Sequence, residues 1–297
     1  MLWLILGLVL LAGVLCVLYG IFVERTWFRL RRYRLDILPA GASAPVRVLH
    51  LSDLHFTRSD EHKARFLASL PPADVTVVTG DLLGEAEAVS VAVEALQPTR
   101  GGVASYFVLG SNDYFRPRPM NYLRYFRRRR RPPYPRGRRG DAPSLVAMLE
   151  ADGWVHLKNL RTSFSTDGVA AEVGGLDDPH IHRHDIRAAV RRTPDRFGLM
   201  VVHSPDPMVE LAALGYDLIV SGHTHGGQVR LPVVGAIVSN STVPPRLASG
   251  LTKIGESYVH VSPGLGTSKY APFRFLCRPE ATILELRAGQ PPETARP

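Results

Sequence analysis

Short apolar runs alternate with amphipathic stretches along most of the chain, and this alternation restricts the possible folds more than any other feature of the sequence. The runs are rich in valine and leucine: VRVLHL, DVTVVTG, VASYFVLG, FGLMVVH, YDLIVSGH, SYVHVSPG and TILELR. Stretches with helical periodicity, such as HKARFLASL and EAEAVSVAVEAL, separate the first of them. The pattern predicts an α/β fold in which crossover helices connect parallel strands.

Polar residues that can take part in chemistry follow several of these runs directly. The fragments are SDLH with Asp53 and His55, TGD with Asp81, GSND with Ser111, Asn112 and Asp113, VVHS with His203, and SGHTH with His223 and His225. In an open α/β sheet, ligands bind beyond the carboxyl ends of the strands. We therefore expect these strand-end side chains to converge in space.

Carboxylate and imidazole groups dominate this set, which indicates a metal centre. The six groups belong to Asp53, His55, Asp81, His203, His223 and His225. Mixed oxygen and nitrogen ligands suit Mn, Fe, Zn or Ni better than calcium, which prefers oxygen alone. Six ligands are too many for one catalytic zinc, which takes three and a water. The set predicts two divalent ions about 3.5–4 Å apart that share one carboxylate.

Taken singly, these residues also have ordinary structural interpretations. Asp53 could belong to a turn or cap a helix, Asp81 follows a glycine as in many turns, and a histidine at a strand end commonly packs in a core. The GHTH fragment is harder to explain in this way, because Gly222 and Gly226 leave room for a ligand to approach closely. The order of all the fragments along the chain favours the metal centre.

That order, D-x-H, G-D, a G-N-H-D-like loop, a later H and G-H-x-H, resembles the signature of the calcineurin-like metallophosphoesterases. The segments SGHTHGGQVRLP and GLGTSKYAPFRFLCRPE are similar to those of membrane-anchored or exported bacterial phosphoesterases. The resemblance covers about residues 46–286 and implies a four-layer αββα sandwich of two mixed sheets. It also implies hydrolysis of a phosphoester bond by a hydroxide that two divalent ions activate.

The resemblance further implies a role for each ligand. Asp53, His55 and His225 are expected to hold the first metal ion. His203 and His223 are expected to hold the second, and Asp81 is expected to bridge the two ions.

The third motif departs from the family pattern, which is usually Gly-Asn-His followed by Asp or Glu. There the Asn binds metal and the His contacts the phosphate, whereas this chain has Gly110-Ser111-Asn112-Asp113. In direct register Ser111 replaces the Asn and Asn112 replaces the His. We expect Asn112 to act in catalysis and to bind the second metal ion through its carbonyl oxygen, with Ser111 as the alternative ligand.

Loss of the histidine bears on the substrate. An amide donates hydrogen bonds but cannot protonate a leaving group. The histidine's role is then vacant, is filled by water, or is filled by His180, His182 or His184, which otherwise resemble solvated loop residues. A phosphodiester or a pyrophosphate with a stable leaving group is therefore favoured over a simple alkyl monoester.

The amino-terminal segment predicts a membrane anchor. Residues 1–23 carry no charged side chain, and as a helix they would reach about 34 Å against a hydrocarbon core of about 30 Å. A cleaved signal peptide, the alternative, would begin with basic residues and end in a small-x-small site, and this segment has neither. The arginines after the segment predict a single-pass protein with a cytoplasmic catalytic domain.

These patterns divide the chain into an anchor (1–23), a basic juxtamembrane segment and linker (24–45), a phosphoesterase domain (46–287) and a flexible tail (288–297). The domain carries an insertion, residues 116–139, with eleven arginines and no acid. The net charge of the chain is +9, so the remainder carries −2 (9 minus 11).

The arginine-rich insertion leaves several functions open. It could be a solvated loop, a patch on anionic lipid or a grip on nucleic acid. Lipid contact is favoured because an anchor precedes the domain, so we expect the membrane or the substrate to contact Arg127, Arg128, Arg129, Arg130 and Arg131. The leading function is hydrolysis of a lipid-linked or other membrane-associated phosphoester. The alternatives are a nuclease of the same fold and a catalytically silent scaffold.

Overall fold

The structure is a computed structural model that describes residues 1–117, 119 and 138–289. The expected contacts of Arg127 to Arg131, and most of the expected flexible tail, lie outside these residues. The helices described are α1 (Leu2–Phe22), α2 (Glu61–Ala68), α3 (Val89–Leu96), α4 (Ser111–Tyr114), α5 (Ala142–Ala151) and α6 (Met208–Ala213). The strands described are β1 (Arg29–Leu38), β2 (Val46–Leu51), β3 (Val75–Thr79), β4 (Ala104–Val108), β5 (Val155–His156), β6 (Leu160–Thr166), β7 (Val169–Gly175), β8 (Phe197–Val201), β9 (Leu218–Ser221), β10 (Arg230–Leu231), β11 (Gly235–Ala236), β12 (Gly250–Ile254), β13 (Ser257–Val261) and β14 (Glu280–Ala288).

Two mixed six-stranded sheets form the body of the protein. The first has the strand order β1-β14-β2-β3-β4-β5, and the second has the order β12-β13-β9-β8-β7-β6. In the first sheet β2, β3, β4 and β5 run parallel, and β14 runs antiparallel to β2. In the second sheet β13, β9, β8 and β7 run parallel, with an antiparallel strand at each edge.

Three buried apolar clusters separate four layers. The helices α2, α3 and α5 cover the outer face of the first sheet, with Leu67 and Leu149 in the same cluster as Leu49. A second cluster lies between the sheets, and a third lies on the far face of the second sheet beside α6. Because side chains alternate along a strand, Leu199 enters the middle cluster and Met200 enters the third. This arrangement confirms the predicted αββα sandwich.

Residues 29–38, which lie in the predicted basic juxtamembrane segment and linker (24–45), form a strand in the structure. This strand, β1, runs parallel to β14 at the edge of the first sheet. Its Leu35 and Leu38 are buried in the cluster between the sheets, and Arg29 forms an ion pair of 2.7 Å with buried Glu280. Exposed charges are common on edge strands, where they discourage pairing with other chains. In the sequence these arginines therefore look like the basic flank of a membrane span, although in the structure they lie on an edge strand.

One helix among the described residues, α1, is long and apolar enough to cross a bilayer by length and composition, a test that a signal sequence would also pass. Its last turn touches the body, where the Gly20 carbonyl accepts a hydrogen bond of 3.2 Å from the Arg274 amide. Glu24, 1% exposed, accepts hydrogen bonds from the amides of Leu276 and Cys277. The helix is therefore docked on the body at its carboxyl-terminal end.

Candidate metal centre

The carboxyl ends of strands from both sheets meet at one edge of the sandwich, and the predicted ligands lie in the loops that follow. Asp53 and His55 follow β2, Asp81 follows β3 and Asn112 lies in α4, directly after β4. His203 follows β8, and His223 and His225 follow β9. The structure thus brings together every ligand that the sequence predicted.

The ligands form two groups, in each of which the ligand atoms lie within 4.8 Å of one another. The first group contains Asp53, His55 and His225. The two Nε2 atoms of His55 and His225 are 3.2 Å apart, and the His225 Nε2 lies 3.6 Å from the Asp53 Oδ1. Three potential ligand atoms therefore face one small volume.

The second group contains Asp81, His203 and His223. The His223 Nδ1 lies 3.1 Å from the His203 Nε2, and the His203 Nε2 lies 3.6 Å from the Asp81 Oδ1. The other ring nitrogen of His203 is 2.6 Å from the Thr79 carbonyl. That carbonyl holds the imidazole in an orientation that leaves Nε2 for a ligand, a common arrangement behind metal-binding histidines.

Asp81 contacts both groups. Its Oδ2 lies 3.6 Å from the His55 Nε2 of the first group, and its Oδ1 faces His203 of the second at the same distance. One carboxylate oxygen on each side is the arrangement that a bridging ligand requires.

The donor set fits divalent cations. The Asp53 Oδ1 is buried and has no hydrogen-bond partner among the described residues, and a buried oxygen without a partner is costly. In addition, two pairs of imidazole nitrogens face each other at 3.1 and 3.2 Å, so each pair needs either a proton or a cation between its lone pairs. A cation in each group would satisfy the nitrogens and the orphaned oxygen together.

The backbone of these loops is strained where the ligands are attached. The residues with left-handed φ angles include Asp53 (47°), His55 (45°), Asp81 (52°), His223 (68°) and His225 (50°). Few residues other than glycine adopt such angles, and they cluster at functional sites, where the surrounding structure enforces them. Gly222 is also required, because a Cβ there would collide with the Ser52 hydroxyl and the Asp53 carboxylate. These loops therefore hold the candidate ligands in position at some cost in local stability.

Burial shapes the protonation of the ligands. It raises the pKa of Asp53 to about 6 and lowers the pKa of His55 to about 4. Burial also opposes ionisation of Asp81, but the imidazoles of His203 and His55 outweigh it and lower the pKa of Asp81 below its usual range. Burial alone would lower the pKa of His203, yet neighbouring carboxylates, chiefly Asp81, raise it to about 9. Cation binding at His203 is therefore coupled to proton release.

The third motif contacts the bridging position through Asn112. Its backbone amide donates to the Asp81 Oδ1 at 2.8 Å, and its side-chain Nδ2 donates to the Asp81 Oδ2 at 2.5 Å. Metal binding through the amide oxygen would require the amide to turn over, so this role stays a prediction. The Ser111 carbonyl accepts a hydrogen bond from the Phe115 amide at the end of α4, and the alternative ligand role of Ser111 also stays a prediction.

The sequence pattern assigned Asp113 and Asp178 no role in the site and offered His180 only as an alternative. The buried Asp113 carboxylate accepts hydrogen bonds of 2.9 Å from the amides of Gly110 and Leu83 and so fixes the third loop. His180, which could also have been a solvated loop residue, lies against His223 with ring centroids 4.1 Å apart. Both His180 and the buried Asp178 follow β7. The sequence contains a signal for these two residues, because the largely apolar run VAAEVGG is followed by LDD, which has two acidic residues.

Known proteins resemble the chain in sequence. The family model described as calcineurin-like phosphoesterase matches residues 46–227. Phosphodiesterase YaeI of Escherichia coli is 28% identical over 90% of this chain and 92% of its own length. A Bos taurus transmembrane protein with metallophosphoesterase domain is 30% identical over 82% of this chain and 53% of its own length. The UDP-2,3-diacylglucosamine pyrophosphatase LpxG of Chlamydia trachomatis is 25% identical, over 80% and 83% respectively.

Proposed function

The chain belongs to the calcineurin-like phosphoesterase family and is a metal-dependent phosphoesterase, and we propose that it hydrolyses a phosphodiester or pyrophosphate bond in a membrane-associated substrate. The observation that carries the proposal is the contact of Asp81 with both ligand groups. The bond class is supported by the names of two relatives, a phosphodiesterase and a pyrophosphatase.

In this proposal the two groups hold two divalent ions, drawn from Mn, Fe, Zn and Ni. Asp53, His55 and His225 hold one, His203 and His223 hold the other, and Asp81 bridges them. Such ions, when bound, supply Lewis acidity that makes water nucleophilic at neutral pH and offsets phosphoryl charge. The residues of the chain fix the ligand geometry: Thr79 orients His203, and the amide of His223 donates to the Asp53 Oδ2 at 2.9 Å.

The choice of substrate follows from the groups beside Asp81. Asn112 donates hydrogen bonds there and has no proton to lose at neutral pH. A leaving group that is stable as an anion needs little protonation, which favours diesters and pyrophosphates over alkyl monoesters. His180, in contact with His223, is the described residue best placed to supply a proton if the substrate needs one.

The proposed membrane association is supported by α1 and by its docking on the body. A relative whose name includes the word transmembrane is consistent with it. The arginines on β1 lie within about 15–20 residues of the end of α1, where the positive-inside rule counts them even though they belong to a strand, and the proposed cytoplasmic orientation rests on that rule.

A substrate panel tests the proposal. The full chain in detergent, loaded in turn with each of the four metals, would be given bis(p-nitrophenyl) phosphate, a nucleotide-linked lipid pyrophosphate and glycerol phosphate. We expect the diester or the pyrophosphate to turn over fastest. The variant Asp81→Asn should fall to background, because its amide cannot hold both ions, whereas the matched variant Asp195→Asn, at an exposed position, should not change. Preference for glycerol phosphate, or full turnover by Asp81→Asn, would contradict the proposal.

A further inference from the structure

We propose that the β10–β11 hairpin is a second membrane contact, which inserts its apolar tip into an anionic lipid surface beside α1. The hairpin comprises residues 230–237 and follows the metal-binding turn that contains His225. The inference rests on the proposed anchoring by α1. It identifies an anionic lipid surface as the surface that the metal centre would face.

The tip of the hairpin is apolar and open to solvent. Val233 is 108% exposed and Val234 is 70% exposed, with Leu231 and Ile237 also exposed on the flanking positions. Turns in water usually carry Gly, Pro, Asn, Asp or Ser, and this turn begins with Pro232 but has Val233 and Val234 at its tip. Val233 also has a left-handed φ of 65°, which is unfavourable for a β-branched residue. A strained turn that presents neighbouring valines to water indicates a surface that is covered in use.

The base of the hairpin is tied to the end of α1. The Arg230 amide donates to the Phe275 carbonyl at 2.9 Å, and the Phe275 amide donates to the Gln228 carbonyl at 3.0 Å. The Phe275 ring packs edge-on against the ring of Tyr19, in the last turn of α1, with centroids 6.4 Å apart. Phe275 thus contacts both the base of the hairpin and the last turn of α1. The hairpin therefore begins at the end of α1 that would leave the bilayer.

The hairpin is long enough to enter the interface. Val233 lies three positions after Arg230, a reach of about 10 Å for an extended chain. The headgroup layer on one side of a bilayer is about 5–8 Å thick, since the full thickness is about 40–45 Å and the hydrocarbon core about 30 Å. A tip that extends from the end of α1 towards the bilayer would therefore reach the acyl chains.

The charge around the hairpin matches anionic lipid. Between Asp217 and Glu256 the chain has no acidic residue, and it carries Arg230 at the base of the hairpin and Arg246 beside it. Arg246 is exposed on the turn that packs against β11. Basic residues around an apolar tip attract the anionic headgroups of a lipid surface. A tip that stays in water would more commonly be surrounded by acidic and basic side chains together.

Lipid contact at this position would bring the metal centre to the headgroups. The Gln228 amide donates to the His225 carbonyl at 2.9 Å, and the Cys277 Sγ contacts the same carbonyl. The hairpin, the loop that holds α1 and the first ligand group are therefore joined through one short segment. A phosphoester in a lipid headgroup is the substrate class that this arrangement would serve.

The test measures the depth of the tip and does not read activity. The full chain with Cys16→Ser and Val233→Cys would carry an environment-sensitive fluorophore in nanodiscs that contain phosphatidylglycerol. The remaining native cysteine, Cys277, is buried. A matched label at Val209→Cys, an exposed valine on α6, is the control, and Val234→Cys guards against a single variant that misfolds.

We expect lipids brominated on their acyl chains to quench the labels at 233 and 234 severalfold more than the label at 209, with aqueous iodide showing the reverse order. Equal iodide quenching at all three positions, in chains that enter nanodiscs, would overturn the hairpin proposal and leave the proposed function standing. Failure of the chain to enter nanodiscs would overturn the anchor and the hairpin together. Loss of phosphoesterase activity alone would leave the depth measurement unaffected.

Discussion

The protein contains two kinds of buried histidine pair, and only one of them lies in the metal centre. In the centre, the nitrogens of His55 and His225 are 3.2 Å apart. Between the sheets, the Nδ1 atoms of His50 on β2 and His260 on β13 are 2.8 Å apart. His50, His260 and His55 are buried and the His225 side chain is 14% exposed, and each pair contains a ring nitrogen without a hydrogen-bond partner among the described residues. Burial and proximity of histidines therefore do not distinguish a site from a core.

Carboxylates and backbone strain make the difference. His50 and His260 lie in regular strands, and the second ring nitrogen of His50 is 2.9 Å from the Thr79 hydroxyl. One shared proton satisfies their contact. The ligand histidines His55 and His225 instead have left-handed backbones and face carboxylates at 3.6 Å. Carboxylates that converge with the imidazoles favour the binding of a divalent cation there.

The two regions are also connected. The Thr79 hydroxyl that contacts His50 donates to the Ser52 hydroxyl at 2.7 Å, and Ser52 donates to the Asp53 Oδ2 at 2.6 Å. The pair of His50 and His260 is thus linked to Asp53 through Thr79 and Ser52 and does not contact it directly. Substitutions along this chain of contacts should have effects that decrease with distance from the ligands.

The largest difference is expected between two histidine substitutions of the same kind. His223→Gln should lower kcat/KM by more than about 100-fold, because loss of a ligand should exceed the roughly 10–100-fold cost of losing a residue behind one. His260→Gln should leave kcat/KM within a few-fold of the unmodified chain. Steady-state kinetics on the same diester would measure both, and equal losses would remove the distinction between the pairs.

An intermediate effect is expected at Ser52. Removal of its hydroxyl in Ser52→Ala takes a hydrogen bond from the Asp53 carboxylate, which should weaken metal affinity by about 10–100-fold. Competition with a chelator of known affinity would measure this. Ser69→Ala, at an exposed serine whose hydroxyl bonds only to a helix carbonyl, is the control. An unchanged affinity in Ser52→Ala would mean that the contact does not orient the ligand.

The smallest effect is expected in the pH dependence of stability. Burial lowers the pKa of His260 to about 3, whereas an unfolded histidine has a pKa of about 6.5. Below pH 6.5 the unfolded chain binds a proton that folded His260 does not, so its contribution to stability is full above that pH and declines towards pH 3. The loss is about 1.4 kcal/mol per pH unit.

Denaturant unfolding of the detergent-solubilised chain at pH 6.5 and 5.5, with saturating divalent ions, would measure this decline. His260→Gln should show a shallower decline than the unmodified chain, because glutamine does not titrate. Identical slopes would show that His260 is already protonated in the folded protein.

The alternating apolar runs predicted β2, β3, β4, β8, β9, β13 and β14, as well as α2 and α3. Convergence of the ligands followed, because parallel strands end at the same edge of a sheet. The strand β1 was missed since its pairing with β14 joins residues some 250 positions apart, and its alternating arginines gave a local membrane signal instead. The strand β7 was missed because its run contains glycine, alanine and a glutamate, so Asp178 was not placed at the site and His180 could not be distinguished from His182 and His184.

Contacts with the backbone also escaped the sequence. Arg274 is fully buried and donates to the carbonyls of Pro263, Gly264 and Gly266, in the loop whose amides bond to the carbonyls of Ser52 and Asp53. Nothing in a single sequence distinguishes such an arginine from a solvated one. Its role depends on a loop conformation that only the folded chain defines.

Metal content tests the central claim most directly, namely that separate acidic and imidazole groups from both sheets bind two ions that share Asp81. Elemental analysis of the purified full chain, after exchange into metal-free buffer, would count the bound ions. We predict about two divalent ions per chain, and fewer than two in Asp81→Asn. A folded, unmodified chain that retains no ion after incubation with Mn, Fe, Zn and Ni would contradict the account.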